Sequence, residues 1–259
     1  IRIRTTMGLV GQALKEEDLL QLPGHIAVGH TRYSTTGSSM IANAQPILSE
    51  GPHGELAVAH NGNVINAAEL KRELTDWGCT FSSTSDSEVI AHMISNATAD
   101  TWPGRLSYAM RRLQGAYSLV MMTKDCLIGL RDPLGVRPLC LGKIDGGWVL
   151  ASESCALDHI GAEYVREIEP GEAVIVDDDG IKTIYRHETN GKTANCVFEH
   201  IYFARPDSIL NDKLVYSARM SMGEELAKEH PVEADMVIGV PDSATAAAVG
   251  YSQESGIPF

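Results

Sequence analysis

The spacing of apolar residues changes character along this chain. Up to residue 115 it is mainly helical, broken by two short apolar runs; from Ala116 it becomes strand-like, in short blocks cut by turns. Residues 18–22 predict a short helix punctuated by Pro23-Gly24, and 26–30 a strand leading into the polar loop 31–37. The run Leu56-Ala57-Val58-Ala59 ends in His60-Asn61-Gly62-Asn63, which predicts a short buried strand running out to an exposed tip. Asn66-Ala67-Ala68-Glu69 carries a capping-box pattern, with Leu70, Leu74 and Trp77 on one helical face and Gly78 as the stop. Ser85-Asp86-Ser87-Glu88 opens a second helix with the same signature, striped by Val89, Ile90, Met93 and Ile94. A third helix carries Leu106, Ala109, Met110 and Leu113.

Seven short strands follow, over 117–122, 127–130, 138–141, 148–151, 164–168, 173–177 and 181–185. Asp-Pro, Asp-Gly-Gly, Pro-Gly and Asp-Asp-Gly turns separate them. Tight turns join antiparallel neighbours. Helices beside many such strands predict a layered α+β fold, two sheets sandwiched between helical layers. Residues 189–195 are polar and unpatterned, which predicts a domain boundary near 190. Beyond it, a helix over 215–229 stops at His230-Pro231. Residues 236–240 then read as a fully buried strand, opening onto Pro241-Asp242-Ser243 and an Ala-rich helix. Strand, loop and helix in that order are the usual start of a parallel α/β domain.

Composition narrows the function classes. The 259 residues include 21 basic and 34 acidic side chains, a net charge of −13. That excess argues against nucleic-acid or anionic-membrane partners, while leaving room for a local basic pocket. No apolar run approaches the ~18 residues of a membrane span. The five cysteines are dispersed, with no Cys-x-x-Cys pair, which points to a reducing, cytoplasmic setting and to small buried thiols. The ends read as those of a fragment. Ile1-Arg2-Ile3-Arg4 alternates like a strand without an initiator methionine, and residues 255–259 break off at the start of another apolar run.

Three separated positions suggest chemistry. Asn61-Gly62 on its own is a strong hairpin-turn signal, since both residues tolerate positive φ. The alternative is that the Asn61 side-chain amide and the Gly62 N–H point the same way, as the donors of an oxyanion hole would. Arg32 offers a planar fork matched to a carboxylate, or else a surface ion pair. Asp86 is a helix cap worth ~1 kcal/mol, or an acceptor for an ammonium group. If the three meet, they describe a free α-amino acid held at both charged ends with its side-chain carbonyl offered for attack.

The motifs themselves sharpen this. The stretch 29–37 (Gly-His-Thr-Arg-Tyr-Ser-Thr-Thr-Gly), the stretch Ala59-His60-Asn61-Gly62-Asn63 and the stretch Thr84-Ser85-Asp86-Ser87-Glu88 closely resemble the glutaminase domain of the class II, N-terminal-nucleophile amidotransferases. Residues 131–139 (Arg-Asp-Pro-Leu-Gly-Val-Arg-Pro-Leu), 151–158 and 196–208 narrow the resemblance to the phosphoribosylpyrophosphate amidotransferase family, over essentially the whole chain. The resemblance implies a four-layer αββα fold over 1–190, and over 191–259 a linker and the beginning of a type I phosphoribosyltransferase domain. It implies that ammonia released from glutamine reacts with phosphoribosyl diphosphate to give 5-phosphoribosylamine, glutamate and diphosphate, the first step of purine synthesis.

Roles carry over residue by residue. Arg32 would hold the glutamine α-carboxylate and Asp86 its ammonium. Asn61 and Gly62 would form the oxyanion hole, with His60, Tyr33 and Thr35 also at the glutamine site. The family nucleophile is an N-terminal cysteine whose own amine acts as base. Position 1 here is Ile1, so the fragment is expected to be inactive. Residues 237–243 resemble a phosphoribosyltransferase diphosphate loop, with Ser243 beside Mg²⁺. Cys196 matches a ligand of a 4Fe-4S cluster found in one branch of the family, and a cluster needs four ligands. Purine nucleotides as feedback inhibitors, a homo-oligomer and a cytoplasmic location (plastid if a transit peptide has been lost) complete what the resemblance implies. Two other readings stay open. One is another class II amidotransferase, of asparagine synthetase or glucosamine-6-phosphate synthase type, although the Ser-Gly-Gly ATP-pyrophosphatase loop of the former is absent. The other is a glutamine-binding regulatory domain lacking its nucleophile.

Overall fold

The computed structural model describes residues 1–32, 39–189 and 191–259. In chain order its strands are β1 (Ile47–Gly51), β2 (Gly54–Val64), β3 (Gly115–Met122), β4 (Leu127–Arg131), β5 (Cys140–Ile144), β6 (Gly147–Ala151), β7 (Glu163–Glu167), β8 (Glu172–Asp177), β9 (Gly180–Arg186), β10 (Ile209–Leu210) and β11 (Lys213–Leu214). The helices are α1 (Val10–Ala13), α2 (Glu16–Leu20), α3 (Ala67–Asp76), α4 (Asp86–Ser95), α5 (Trp102–Arg112), α6 (Ser154–His159), α7 (Val215–Glu229) and α8 (Ala244–Ser255). Contacts divide the chain into two compact units, Ile1–Arg137 with Ile168–Ala194, and Pro138–Glu167 with Asn195–Phe259.

The first unit is built on an antiparallel sheet ordered β1-β2-β3-β4-β8-β9. Leu56 and Val58 of β2 enter one core with Leu119 and Met121 of β3, Ile128 and Leu130 of β4, and the apolar stripes of α3, α4 and α5. The intervening Ala57 and Ala59 are buried too, and alternation places them on the opposite face of the strand. At about 1.5–3 kcal/mol for each large side chain fully buried, this core is ample to hold β2 in register. The register sets His60, Asn61 and Gly62 opposite Leu119, Ser118 and Tyr117.

Several local expectations met a different outcome. Residues 26–30 form no strand and join no ladder among the described residues. Trp77 is 59% exposed, because α3 ends at Asp76, before its stripe reaches that position. The Asn66 side chain does not cap α3. Its amide donates to the Arg112 carbonyl (2.9 Å) and its oxygen accepts from Gln114 N–H (3.0 Å), which ties the end of α5 to the start of α3. In the second capping box, Ser85 does cap α4, accepting from Ser87 N–H at 3.2 Å. Glu88 reaches past Ser85 to Ser82 and Ser83 instead.

The second unit holds the antiparallel sheet β6-β5-β7. Leu157 of α6 is fully buried against it with Cys140 and Ala162. Gly142 of β5 lies so close beneath that a Cβ there would sit 2.7 Å from Leu157. Two of the sequence motifs interlock here: Glu153 Oε2 accepts from Arg205 N–H and Ser208 Oγ (both 2.8 Å), and Ser154 Oγ accepts from Ile209 N–H (2.7 Å). Helices α7 and α8 pack through small residues. A Cβ on Gly223 would meet the Ala247 carbonyl at 1.8 Å, and one on Gly250 the Met220 carbonyl at 2.0 Å. The run 236–240, expected as a buried strand, joins no ladder among the described residues, and Met236, Ile238 and Val240 are exposed. A strand is buried only by partners at its edges and faces, and none of the described strands pairs with this one.

Gly223→Ala should therefore force α7 and α8 apart, destabilising them by roughly 1–3 kcal/mol. Amide hydrogen exchange should quicken across both helices and stay unchanged in α4; unaltered exchange in α8 would contradict the close packing.

Candidate active site

The polar end of β2 is where the first unit gathers its candidate functional side chains. His60 is almost fully buried, and groups from three other segments hold it. Gln45 brackets its backbone, with Oε1 accepting from His60 N–H at 2.6 Å and Nε2 donating to His60 C=O at 3.4 Å. The His30 ring meets the same carbonyl at 3.2 Å. From the start of α4, Ser87 Oγ lies 3.2 Å from His60 Nδ1 and Asp86 Oδ1 3.8 Å. Asp86 Oδ2 also accepts from Val64 N–H at 2.9 Å, so one carboxylate ties α4 to β2 just past the Asn-Gly pair. Accepting that bond leaves lone pairs for a ligand.

Asp86 is itself placed by a dense polar loop. Glu88 takes four bonds from Ser82 and Ser83, at 2.7–2.9 Å. Burial pushes its carboxyl up, but those four donors outweigh burial and hold it below the ordinary value. Lys71 donates to the Ser83 carbonyl (2.9 Å), and Asn43 pairs with the Thr84 backbone and hydroxyl.

Asn61 follows His60, and its Oδ1 accepts from Arg137 Nε (3.2 Å) and Nη2 (2.9 Å). Gly62 is demanded by space: a Cβ would lie 2.1 Å from the Ala116 carbonyl oxygen and 2.7 Å from His60 Nε2. The Asn-Gly pair is thus not a hairpin turn. It continues an eleven-residue strand, paired with β3 through Val64.

Burial pushes the His60 imidazole below its ordinary value, more strongly than the Asp86 carboxylate and the Ala116 carbonyl raise it, and Arg137 adds to the lowering. Burial likewise lowers His30. Both rings are therefore neutral at pH 7, and positive charge near the strand end comes from arginine. That arrangement suits a negatively charged oxygen at Asn61 and a cation at Asp86.

Of the residues singled out from sequence, His60, Asn61, Gly62 and Asp86 come together here. Arg32 is half-buried, two residues beyond His30 and its bond to β2. Tyr33 and Thr35 lie outside the described residues. Ser243, just before α8, and Cys196, ahead of a π-helical turn over Glu199–Phe203, belong to the second unit. His30, Gln45, Ser87 and Arg137 escaped sequence reasoning as individuals. Arg137 lay inside a recognised motif, but nothing local signals a partner 76 positions away.

A family model described as a glutamine amidotransferase domain matches residues 30–159, which include every residue of this cluster. The chain belongs to the glutamine amidotransferase family. Along all of its length it is 46% identical to an amidophosphoribosyltransferase of Archaeoglobus fulgidus and 49% identical to one of Synechococcus elongatus, covering 57% and 54% of those proteins. It thus spans about half the length of the curated relatives it matches. Among solved structures it is similar to one described as the allosteric regulatory enzyme of purine biosynthesis, with a TM-score of 0.84 and 44% identity, over 89% of this chain and 50% of the other. It is also similar to the glutamine phosphoribosylpyrophosphate amidotransferase of B. subtilis complexed with ADP and GMP, with a TM-score of 0.82 and 43% identity, over 89% and 50%. These neighbours support the expected fold class, α+β with antiparallel sheets, of the N-terminal-nucleophile hydrolase type.

The His60 ring gives this glutamine amidotransferase a pH signature. A folded pKa below the unfolded value of 6.5 means the folded state gives up the proton more readily. Its contribution to stability is complete above 6.5 and is lost as pH falls through the folded pKa. NMR of the His60 ring should give a titration midpoint below the ordinary value of 6.5; a midpoint at or above that value would refute its burial as a neutral ring.

Proposed function

We propose that the protein is a glutamine-dependent amidophosphoribosyltransferase, releasing ammonia from the glutamine side chain and passing it to C1 of phosphoribosyl diphosphate. The products are 5-phosphoribosylamine, glutamate and diphosphate, at the entry to purine synthesis. The observation that carries the reading is the end of β2, where a guanidinium locks the Asn61 amide and, three residues on, the Val64 N–H holds the Asp86 carboxylate that also anchors α4. Similarity along the whole of this chain to amidophosphoribosyltransferases, of which it spans about half, supports the second half-reaction.

In this reading Arg32 binds the α-carboxylate of glutamine and Asp86 its ammonium, with Tyr33, Thr35 and His60 completing the glutamine site. When a thiolate attacks the side-chain carbonyl, charge builds on its oxygen, and the Asn61 Nδ2–H and Gly62 N–H stabilise it. Neutral His60 supports the strand without adding a charge that would compete with Arg32 for the carboxylate. The glutaminase portion is proposed to run over 1–190 and the phosphoribosyl portion to begin in 191–259. The grip of Glu153 on Arg205 and Ser208 crosses that division.

The chemistry of the donors bears on the implied metals. Asp242 and Ser243, at the start of α8, offer the hard oxygen ligands that Mg²⁺ prefers, and such sites draw their other ligands from substrate phosphates and water. Bound there, Mg²⁺ would neutralise diphosphate charge. A 4Fe-4S cluster does not fit the described residues: Cys196 is a single thiol, and no group of three or more His, Cys, Asp or Glu side chains gathers among them. Feedback by purine nucleotides, a homo-oligomeric state and a cytoplasmic location belong to the same proposal. No helix among the described residues is long and apolar enough to cross a membrane.

Two substitutions test the glutamine site. Arg32→Ala should raise KM for glutamine steeply and leave synthesis from free ammonia intact; unchanged glutamine kinetics would remove Arg32 from the site. Asn61→Ala should lower glutamine-dependent kcat by roughly 10²–10³-fold, whereas a loss confined to KM would assign it a ground-state role.

A further inference from the structure

We infer that Arg137 is a positioning residue for Asn61, fixing which end of its amide faces the reacting carbonyl. The inference rests on the oxyanion reading proposed above. Arg137 Nε and Nη2 both donate to one Asn61 atom, at 3.2 and 2.9 Å. A guanidinium has donors and no acceptor, so the atom it grips must be the oxygen. The Nδ2 end is thereby turned away from the guanidinium. Without that grip the amide can rotate by a half-turn and present oxygen to a developing oxyanion, exchanging attraction for repulsion.

The loop that delivers Arg137 is rigid for reasons independent of its side chain. The Arg137 carbonyl accepts from Ser118 Oγ and Arg131 Nε, both at 2.9 Å. Buried Arg131 also donates to the carbonyls of Gly135 (3.0 Å) and Ile168 (2.8 Å). Fully buried Asp132 accepts from Leu134 N–H (2.9 Å), Val136 N–H (3.0 Å) and Tyr117 N–H (3.3 Å). A substitution at the Arg137 side chain leaves all of these in place. The cation has a second effect: held on Oδ1, it draws electron density from the amide and strengthens Nδ2–H as a donor. A lysine supplies charge without the fork and should recover only part of this.

The test is steady-state glutamine hydrolysis by the protein expressed from its complete gene, comparing Arg137→Met, Arg137→Lys, Asn61→Ala and the Asn61→Ala/Arg137→Met double variant. Arg137→Met should lower kcat roughly 10–100-fold with KM within about threefold, and Arg137→Lys should fall between it and the parent. The double variant should match Asn61→Ala within about twofold, because Arg137 acts through Asn61. The Asn61 side-chain amide signals in NMR should shift in both Arg137 variants, and the conservative Arg137→Lys supplies that readout where Arg137→Met folds poorly. A double variant slowed by the product of the two single effects, an effect on KM alone, or unmoved amide signals overturns the inference. An impaired Asn61→Ala beside an unimpaired Arg137→Met defeats it while sparing the oxyanion reading; full kcat in Asn61→Ala overturns both.

Discussion

A buried strand that ends in polar residues must draw hydrogen-bond partners from elsewhere, and that constraint organises the first unit. β2 is sealed by apolar neighbours through Ala59, then carries His60 into the same dry surroundings. An unsatisfied buried donor or acceptor costs about 1–3 kcal/mol, a large part of a domain's net stability. His30, Gln45, the start of α4 and Arg137 meet much of that demand from four places in the chain, while His60 Nε2 and His30 Nδ1 stay buried without a hydrogen bond. Satisfying the strand end and building a site are here the same act.

The electrostatics follow from the same burial. Both histidines near the strand end are pushed toward neutrality, so they contribute geometry rather than charge. Formal charge is left to groups with strong partners: Asp86 on Val64, and Arg137 on Asn61. Charges of opposite sign are thereby fixed along one hydrogen-bonded strand edge.

The second unit uses the same logic at another address. Glu153 and Ser154, at the start of α6, take the backbone and hydroxyl of 205–209, and buried Arg219 of α7 donates to the carbonyls of His200 (2.6 Å) and Ala204 (2.8 Å). Motifs that look like separate signatures along the chain are halves of one hydrogen-bonded joint. Their side chains satisfy backbone that an irregular turn leaves open.

What the chain by itself determined is whatever depends on short-range periodicity and on residue type. Helices α3, α4, α5 and α7 and the antiparallel strands from β3 to β9 follow from spacing and turn chemistry, because an amphipathic face or a two-residue alternation is complete within a few residues. The chemical types gathered at the candidate site were legible too: a carboxylate at 86, an amide at 61 and the tiny residue beside it. Tertiary structure alone decided the rest. It carried the Asn-Gly pair, a turn signal on its own, within a paired strand near its end, left 26–30 and 236–240 outside any described ladder, and set Trp77 in solvent. It also recruited Gln45 and Arg137, whose roles arise from contacts 15 and 76 positions away. Such pairings depend on how a sheet closes in register, and no property of either residue alone encodes that.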